Sequence, residues 1–457
     1  MNTRLMAELT QLLGDRFTTS DYERQQHGQD ESALPPMLPD AVCFPLTTAE
    51  VAEIVRRCAQ YHTPIIPFGA GSSLEGHVFA PHGGLTVDLS RMANILRVSA
   101  DDLDCTVQAG VTRQQLDQTL RPQGLFFPVD PGADATLGGM ASTRASGTTA
   151  VRYGTMADNV LALTVVLPSG EVIQTGTRAR KSAAGYDLTR LFVGSEGTLG
   201  IITEVTLKLQ GLPEAMSAAV VGFAEFDAAV KAVTEIRQAG IPVARVEFLD
   251  EVMVAAINQF AGLKLTERPT LFFEFHGSTA TVHECAELAG EITHAWGGSD
   301  FQWAVDAGER SALWKARHNA YFAGLAFRPG SRSLTTDVCV PISRLADCII
   351  ETKHDLRDSF LTAPIVGHVG DGNFHLMFLV DPTKPAELAE AQRLNKRLVQ
   401  RALALGGTIT GEHGVGLGKM KFMADEHGQG ALAVMRAIKQ AIDPQNLMNP
   451  GKMLPPL

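Results

Sequence analysis

The two histidines in Gly367-His368-Val369-Gly370-Asp371-Gly372-Asn373-Phe374-His375 have the residue type and spacing for metal chemistry. Apolar runs at 363–366 and 376–380 flank the stretch. Asp371-Gly372 between strand-like runs predicts a two-residue type I′ turn, which needs positive φ at both central positions. The register that follows opposes Gly370 to Asn373, Val369 to Phe374 and His368 to His375. Directly opposed residues share a face, with Cβ atoms about 4.5–5.5 Å apart. The spacing alone leaves open both a metal site and a pair of hydrogen-bonded histidines. Farther on, Glu412-His413 lies among small residues at 406–419. Two histidines and a carboxylate are a common ligand set for a divalent metal that keeps open positions. Glu412 is therefore the candidate third ligand beside His368 and His375, with Zn²⁺ the best fit and Mn²⁺ or Fe²⁺ compatible. Adjacent side chains of an extended segment point apart, which frees His413 to face a substrate as a base. A loop salt bridge between Glu412 and His413 is the plainer alternative. His283-Glu284 lacks the second histidine of a zincin motif.

Three blocks of small residues mark a different surface. In the first, the apolar run 64–68 enters Gly69-Ala70-Gly71-Ser72-Ser73 and ends at Gly76. Glycines let consecutive amides converge on an anion such as pyrophosphate. No long helix follows and no Gly-Lys-Ser/Thr is present, so neither the Rossmann fingerprint nor the Walker loop applies; a tight turn is the alternative. The second block runs from Pro128 through Pro131-Gly132, Thr136-Leu137-Gly138-Gly139 and Ser142 to Gly147 and Tyr153-Gly154. Its few large side chains leave room for a bulky planar cofactor. The third is Gly194-Ser195-Glu196-Gly197-Thr198-Leu199-Gly200. Three glycine blocks in one α+β region read as one binding surface.

The elements that must hold these residues follow from periodicity. A helix is expected at 6–13, and Leu34-Pro35-Pro36 breaks regular structure. Thr47 and Glu50 have the form of a capping box for a helix at 47–61, with Val51, Ile54, Val55 and Cys58 on one face. Short strands at 85–89 and 105–107, a helix at 111–120, a hairpin at 159–175 and a strand at 201–209 complete the first region. Past the linker 211–213, strand and helix signals alternate at 218–223, 226–239, 243–248, 271–276 and 281–294. Residues 310–328 read as a single helix, and helices follow at 386–404 and 431–442.

Composition bounds the function. A chain of 457 residues, 45% hydrophobic, predicts two or three domains, each with a real core. No run of about 18 uncharged apolar residues occurs, so no membrane span is expected. A net charge of −11 without a Lys/Arg block argues against nucleic acid as a partner. Six cysteines without a CxxC pair read as reduced thiols. Residues 1–15 carry neither a signal-peptide core nor transit-peptide character. The expected location is therefore cytoplasmic, or peripheral to the inner face of a respiratory membrane.

The order of the glycine blocks resembles the FAD domain of vanillyl-alcohol-oxidase-type (PCMH-type) flavoproteins. Together with His368–His375, Thr410-Gly411-Glu412-His413-Gly414 and Met448-Asn449-Pro450-Gly451-Lys452, it resembles the branch of D-lactate dehydrogenases (cytochrome), glycolate oxidase D-subunits and D-2-hydroxyglutarate dehydrogenases. The resemblance spans residue 38 to the end. It implies an α+β fold: an FAD-binding domain of two subdomains at 1–210, a ferredoxin-like antiparallel-sheet cap at 211–400, and a segment at 401–457 returning to the FAD domain. It implies that the first block holds the pyrophosphate. The FAD is expected to be non-covalent, because Gly71-Ser72-Ser73 stands where covalent relatives carry histidine; His77 lies just beyond. The cofactor-binding residues it implies are Pro67, Gly69, Ala70, Gly71, Ser72, Ser73 and Gly76; Pro131, Gly132, Thr136, Gly138, Gly139, Ser142, Gly147, Tyr153 and Gly154; and Glu196, Gly197, Gly200 and Ile201. Asn449 either bonds near the ring or caps a turn.

By the same resemblance, Arg317 presents its guanidinium to the substrate carboxylate, for which bidentate pairing is the physical reason. The implied reaction oxidises a D-2-hydroxy acid: the metal binds its hydroxyl, His413 takes the proton and the Cα hydride passes to flavin N5. Relatives acting on hydroxyglutarate carry a Lys just before the matching Asp-Val. Thr335 and Thr336 stand here before Asp337-Val338, which favours D-lactate. The electron acceptor would be a cytochrome, a quinone or an electron-transfer flavoprotein, and a homodimer is compatible. The rival readings are a subunit of a glycolate-oxidising complex, a D-2-hydroxyglutarate dehydrogenase and a flavin-free metalloenzyme.

Overall fold

The computed structural model describes residues 1–32 and 34–456, apart from the side chains of Lys315 and Ala316. The chain forms two units. The first comprises Met1–Ser146, Gly154–Leu212 and Glu412–Leu457; the second comprises Gly147–Tyr153 and Pro213–Gly411. No helix among the described residues is long and apolar enough to cross a membrane.

The first unit holds two larger sheets and a short antiparallel pairing of Leu125–Phe126 with Gln210–Gly211. In one, Leu85–Asp88 lies between Ala41–Cys43 and Ile65–Phe68, parallel to both, and Phe17–Thr18 pairs antiparallel to Ala41–Cys43 at the edge. The helix Thr48–Gln60 buries Val51, Ile54, Val55 and Cys58 into the core beside Leu5, Leu9, Ile65 and Val87. That is the face expected from the i, i+3, i+4, i+7 spacing. Thr47 caps the helix by accepting from the Glu50 amide at 3.1 Å. The reciprocal half of the box is absent: Glu50 accepts from the Leu46 amide and takes a bidentate pair from Arg16. A guanidinium fork outcompetes a single amide for the same carboxylate.

The second sheet is antiparallel, in the order Ile95–Ser99, Asp104–Gln108, Ile201–Lys208, Val160–Val166 and Val172–Gln174. The expected hairpin at 159–175 is the last pair. Its core includes Val107, Leu116, Leu137, Met140, Phe192 and Val205.

The second unit is built on one antiparallel sheet. Its order is Ser299–Ala304, Ala215–Gly222, Thr270–Gly277, Val243–Leu249, Ile365–His368, Asn373–Val380 and Arg332–Thr335. Val338–Cys339 also pairs with Asn373–Val380. The expected helix at 310–328 is two helices, Ala307–His318 and Ala320–Phe327, joined at Asn319. Asparagine favours helix starts over interiors because its side chain competes for backbone partners, and the second helix begins with the Ala323 amide on the Asn319 carbonyl.

The histidine hairpin departs from the expected register. His368 pairs with Asn373, Gly367 with Phe374, Val366 with His375 and Ile365 with Leu376. Residues 369–372 form the loop instead of Asp371-Gly372 alone. The cause is tertiary. The Gly372 carbonyl accepts from the Val340 amide at 3.0 Å. Gly372 comes so close to Val340 that a Cβ would lie 2.0 Å from its carbonyl oxygen, and its φ is +80°. Docking on Val340 therefore widens the turn. The register has moved by two residues, which keeps every side chain on its face; a slip of one would have inverted them. His368 and His375 are diagonal neighbours on that face, their ring centroids 5.5 Å apart.

Candidate active site

The strand Val243–Leu249 places a fully buried carboxylate, Glu247, on the face that carries the histidines. Phe248 pairs with Gly367 and Leu249 with Val366, so the next step of the ladder sets Glu247 opposite His368. Glu247 Oε1 accepts from His368 Nδ1 at 2.7 Å, and its Oε2 accepts from Arg317 Nη2. His375 Nδ1 lies 3.0 Å from the Thr336 carbonyl oxygen. With each Nδ1–H spent on an oxygen, both imidazoles carry their lone pair on Nε2. This is the usual arrangement of metal-binding histidines, whose other ring nitrogen is fixed by a carboxylate or carbonyl. The two rings thus fit a divalent cation, and their nitrogens suit Zn²⁺, Fe²⁺ or Mn²⁺.

A buried polar chain braces His375. Asn373 Nδ2 donates to Asp337 Oδ1 at 2.7 Å and to the Val338 carbonyl at 2.8 Å, and Thr410 Oγ1 donates to Asp337 Oδ2 at 2.6 Å. The Thr336 hydroxyl oxygen accepts from the Leu376 amide at 2.9 Å, and Thr335 shares a hydrogen bond with the Ser333 hydroxyl. Thr336 thus ties its segment to the strand Asn373–Val380, while Thr335 bonds within its own strand. Arg317 is 8% exposed, and its Nε has no hydrogen-bond partner among the described residues. Glu412 and His413 follow directly after Gly411, the last residue of the second unit, and open the closing segment of the first.

The first unit brings the three glycine blocks to one cleft. Pro67, Gly69, Thr136, Gly138, Gly139, Ser142, Gly197 and Gly200 line it, joined by Phe68, Leu89 and Ile202, which were not expected. Thr136 caps the short helix Leu137–Thr143, and a Cβ on Gly69 would lie 2.3 Å from its Oγ1. Glycine there lets the end of the strand Ile65–Phe68 meet that helix start. A cleft walled by bare backbone fits a large planar cofactor with a charged linker. Ala70, Gly71, Ser72 and Ser73 form the loop that follows, and the Gly76 amide donates to Asp30 at 2.8 Å.

Several expected cofactor residues have other surroundings. Ile201 is fully buried in the core and pairs with Val166. Gly154, with φ +77°, packs against Asp158, which completes the capping box that Thr155 opens for the following short helix. Gly147 and Tyr153 belong to the second unit, where the Tyr153 hydroxyl lies 2.9 Å from His276 Nδ1. Pro131 is half-buried and Gly132 exposed.

Glu196 is buried at a φ of +54°. Its carboxylate accepts the amides of Val415 and Gly416 at 2.7 and 2.8 Å and lies 3.3 Å from His77 Nε2. Burial works against charge on both members of this pair. The opposite charge wins, so Glu196 is held below the usual carboxylate range and His77 above the usual imidazole range. Asn449 ties the C-terminal segment to both, donating to the Glu196 and His77 carbonyls and accepting from Lys452. Burial pushes the Lys452 ammonium down to about 7, with Glu196 pulling the other way.

Glu247 was the residue missed. Its signal is a lone acid inside the apolar run Val243-Ala244-Arg245-Val246-Glu247-Phe248-Leu249, because a buried carboxylate demands partners.

Comparison with known proteins adds independent findings. Residues 39–176 match the family "FAD binding domain" and residues 212–453 match "FAD linked oxidases, C-terminal domain". The chain is 51% identical over 455 residues to the probable mitochondrial D-lactate dehydrogenase of Danio rerio, covering 99% of this chain and 92% of that protein. It is 46% identical to the mitochondrial D-lactate dehydrogenase [cytochrome] of Arabidopsis thaliana, covering 99% and 80%. It is 35% identical to the glycolate oxidase subunit GlcD of Bacillus subtilis, covering 98% and 96%. The solved structure of p-cresol methylhydroxylase shares the fold, with a TM-score of 0.81 at 17% identity over 98% of this chain and 96% of that one. The relatives correct the expected location. Those at 51% and 46% identity are named as mitochondrial proteins, which speaks against the cytoplasmic expectation. Scattered reduced thiols argue only against an oxidising compartment, so they did not discriminate between the two.

Proposed function

The chain belongs to the FAD-linked oxidases, in the branch of D-lactate dehydrogenases (cytochrome) and glycolate oxidase D-subunits, and from that premise we propose that it oxidises D-lactate to the 2-oxo acid and passes the electrons to a cytochrome-type acceptor. The observation that carries the reading is the pairing of one of the two neighbouring imidazoles, His368, with a buried guanidinium, Arg317, through one carboxylate, Glu247.

The cleft of the first unit would hold non-covalent FAD through Pro67, Gly69, Thr136, Gly138, Gly139, Ser142, Gly197 and Gly200. His368 and His375 would hold a divalent cation, Zn²⁺ first, with Glu412 as the third ligand. Gly411 supports that assignment: it packs so closely on Asn373 that a Cβ would lie 2.3 Å from Nδ2, and Glu412 is the next residue. When bound, FAD supplies the hydride acceptor and the cation lowers the pKa of the substrate hydroxyl.

The remaining work falls to side chains. Arg317 anchors the substrate carboxylate, its Nε–H still a donor after Nη2 is spent on Glu247. His413 takes the hydroxyl proton as the general base. The small residues of the cleft give a cofactor close backbone approach and leave few side chains to compete with it.

Glycolate is the second reading, favoured by the Bacillus relative. A panel of D-lactate, L-lactate, glycolate and D-2-hydroxyglutarate with a dye acceptor tests both. D-lactate is expected to give the highest kcat/KM, by at least about tenfold over its enantiomer. A preference for glycolate selects the second reading, and no turnover with any of the four overturns both.

A further inference from the structure

We propose that Glu247 is a positioning residue that couples the metal-binding histidine to the carboxylate-binding arginine; this deepens the proposed function and rests on it. The carboxylate is fully buried, and its two oxygens are divided between two donors: Oε1 serves His368 Nδ1 at 2.7 Å and Oε2 serves Arg317 Nη2. A buried carboxylate is tolerated only when paired, and among the described residues these two donors pair it. Each oxygen does something different. Oε1 holds the His368 proton on Nδ1, which keeps Nε2 as the electron-pair donor for a cation. Oε2 fixes one edge of the Arg317 fork, so the guanidinium plane is set before any substrate arrives. Arg317 is 8% exposed and its Nε lacks a partner among the described residues, which fits an edge reserved for a bound carboxylate.

Both neighbours are donors, and this decides the test. Glutamine at 247 keeps the shape but offers one oxygen and one NH₂. The oxygen goes to the permanently charged Arg317. The NH₂ then faces His368 Nδ1 and forces the other tautomer, with the proton on Nε2 and no lone pair for a metal.

The experiment is a chelator-buffered Zn²⁺ titration of metal-stripped, FAD-loaded protein. Flavin absorbance and circular dichroism serve as controls for folding. For Glu247→Gln the Kd for Zn²⁺ is expected to rise about 10–100-fold, as for other outer partners of ligating histidines, with flavin content unchanged. In a His368→Ala background the same change should add nothing. Should Glu247→Gln fail to fold, Glu247→Asp serves instead: one methylene shorter, it cannot reach both donors, and the same weakening is expected. Equal Zn²⁺ affinity in wild type and variant overturns the inference while leaving the metal reading intact. Wild-type protein that retains neither Zn²⁺ nor Mn²⁺ overturns the metal reading itself, and this inference with it.

Discussion

His368 and His375 meet diagonally across their hairpin, His368 paired with Asn373 and His375 with Val366, and their rings still approach to 5.5 Å between centroids. Convergence of the imidazoles therefore does not depend on the tight turn; it needs only that both stay on one face. If that face binds the proposed cation, dialysis against a strong chelator should remove activity by about 10³-fold while the yellow flavin remains. His375→Ala should lose bound metal in the same way, read by elemental analysis of the purified protein. An unchanged rate after chelation would remove the cation from the reaction.

What could be read in advance, and what could not, divides by sequence distance. The face Val51, Ile54, Val55 and Cys58 was legible because helical spacing is local. The glycine blocks were legible because bare backbone is itself a composition signal, and the cleft gathers residues from all three. Glu247 was not legible as a partner: its histidine lies 121 residues away and its arginine 70, and only strand pairing brings them together. The hairpin register failed for the same reason. A type I′ turn was the sound local reading of Asp371-Gly372, but Val340 claims the Gly372 carbonyl. The break at Asn319 was in view, since asparagine in a helical run is itself a warning.

His413→Ala addresses the proton. A positioned general base contributes about 10²–10⁴-fold, so turnover of D-lactate with a dye acceptor should fall by that range. Flavin content, read by absorbance, should stay at the wild-type level. Equal activity would remove His413 as the base.

Gly132 separates ligand from fold. A Cβ there meets nothing within 4 Å, and its φ is not in the left-handed region, so the protein itself does not require glycine at this position. Gly138 differs, since a Cβ would lie 2.5 Å from the Ala109 Cβ and 2.9 Å from its Cα. Gly132→Val should therefore leave the thermal stability of the flavin-free protein almost unchanged, whereas Gly138→Ala should lower it. If the loop closes on FAD, Gly132→Val should weaken FAD binding by at least about tenfold, measured by fluorescence titration of the apoprotein. Wild-type affinity would place the loop away from the cofactor.

The pair His77–Glu196 should shape the pH dependence of stability. Glu196 is held below its ordinary value of 4.5, so its contribution is present above that pH and is lost as pH falls through the lower value it has in the folded protein. His77 is held above its ordinary 6.5, first opposed by burial but carried upward by Glu196, with Glu75 and Asp30 adding to it. Its contribution is complete below pH 6.5 and is lost as pH rises through its elevated folded value. The pair thus stabilises most between these two limbs. His77→Gln keeps a polar side chain beside Glu196 but cannot titrate, so it should lack the alkaline limb. The Tm of wild type minus that of His77→Gln, followed from pH 5 to 9, should shrink above pH 6.5. A displacement of one pH unit is worth about 1.4 kcal/mol, or roughly 2–4 °C in Tm for a unit of this size. Parallel Tm curves across the range would show that His77 does not carry the charge.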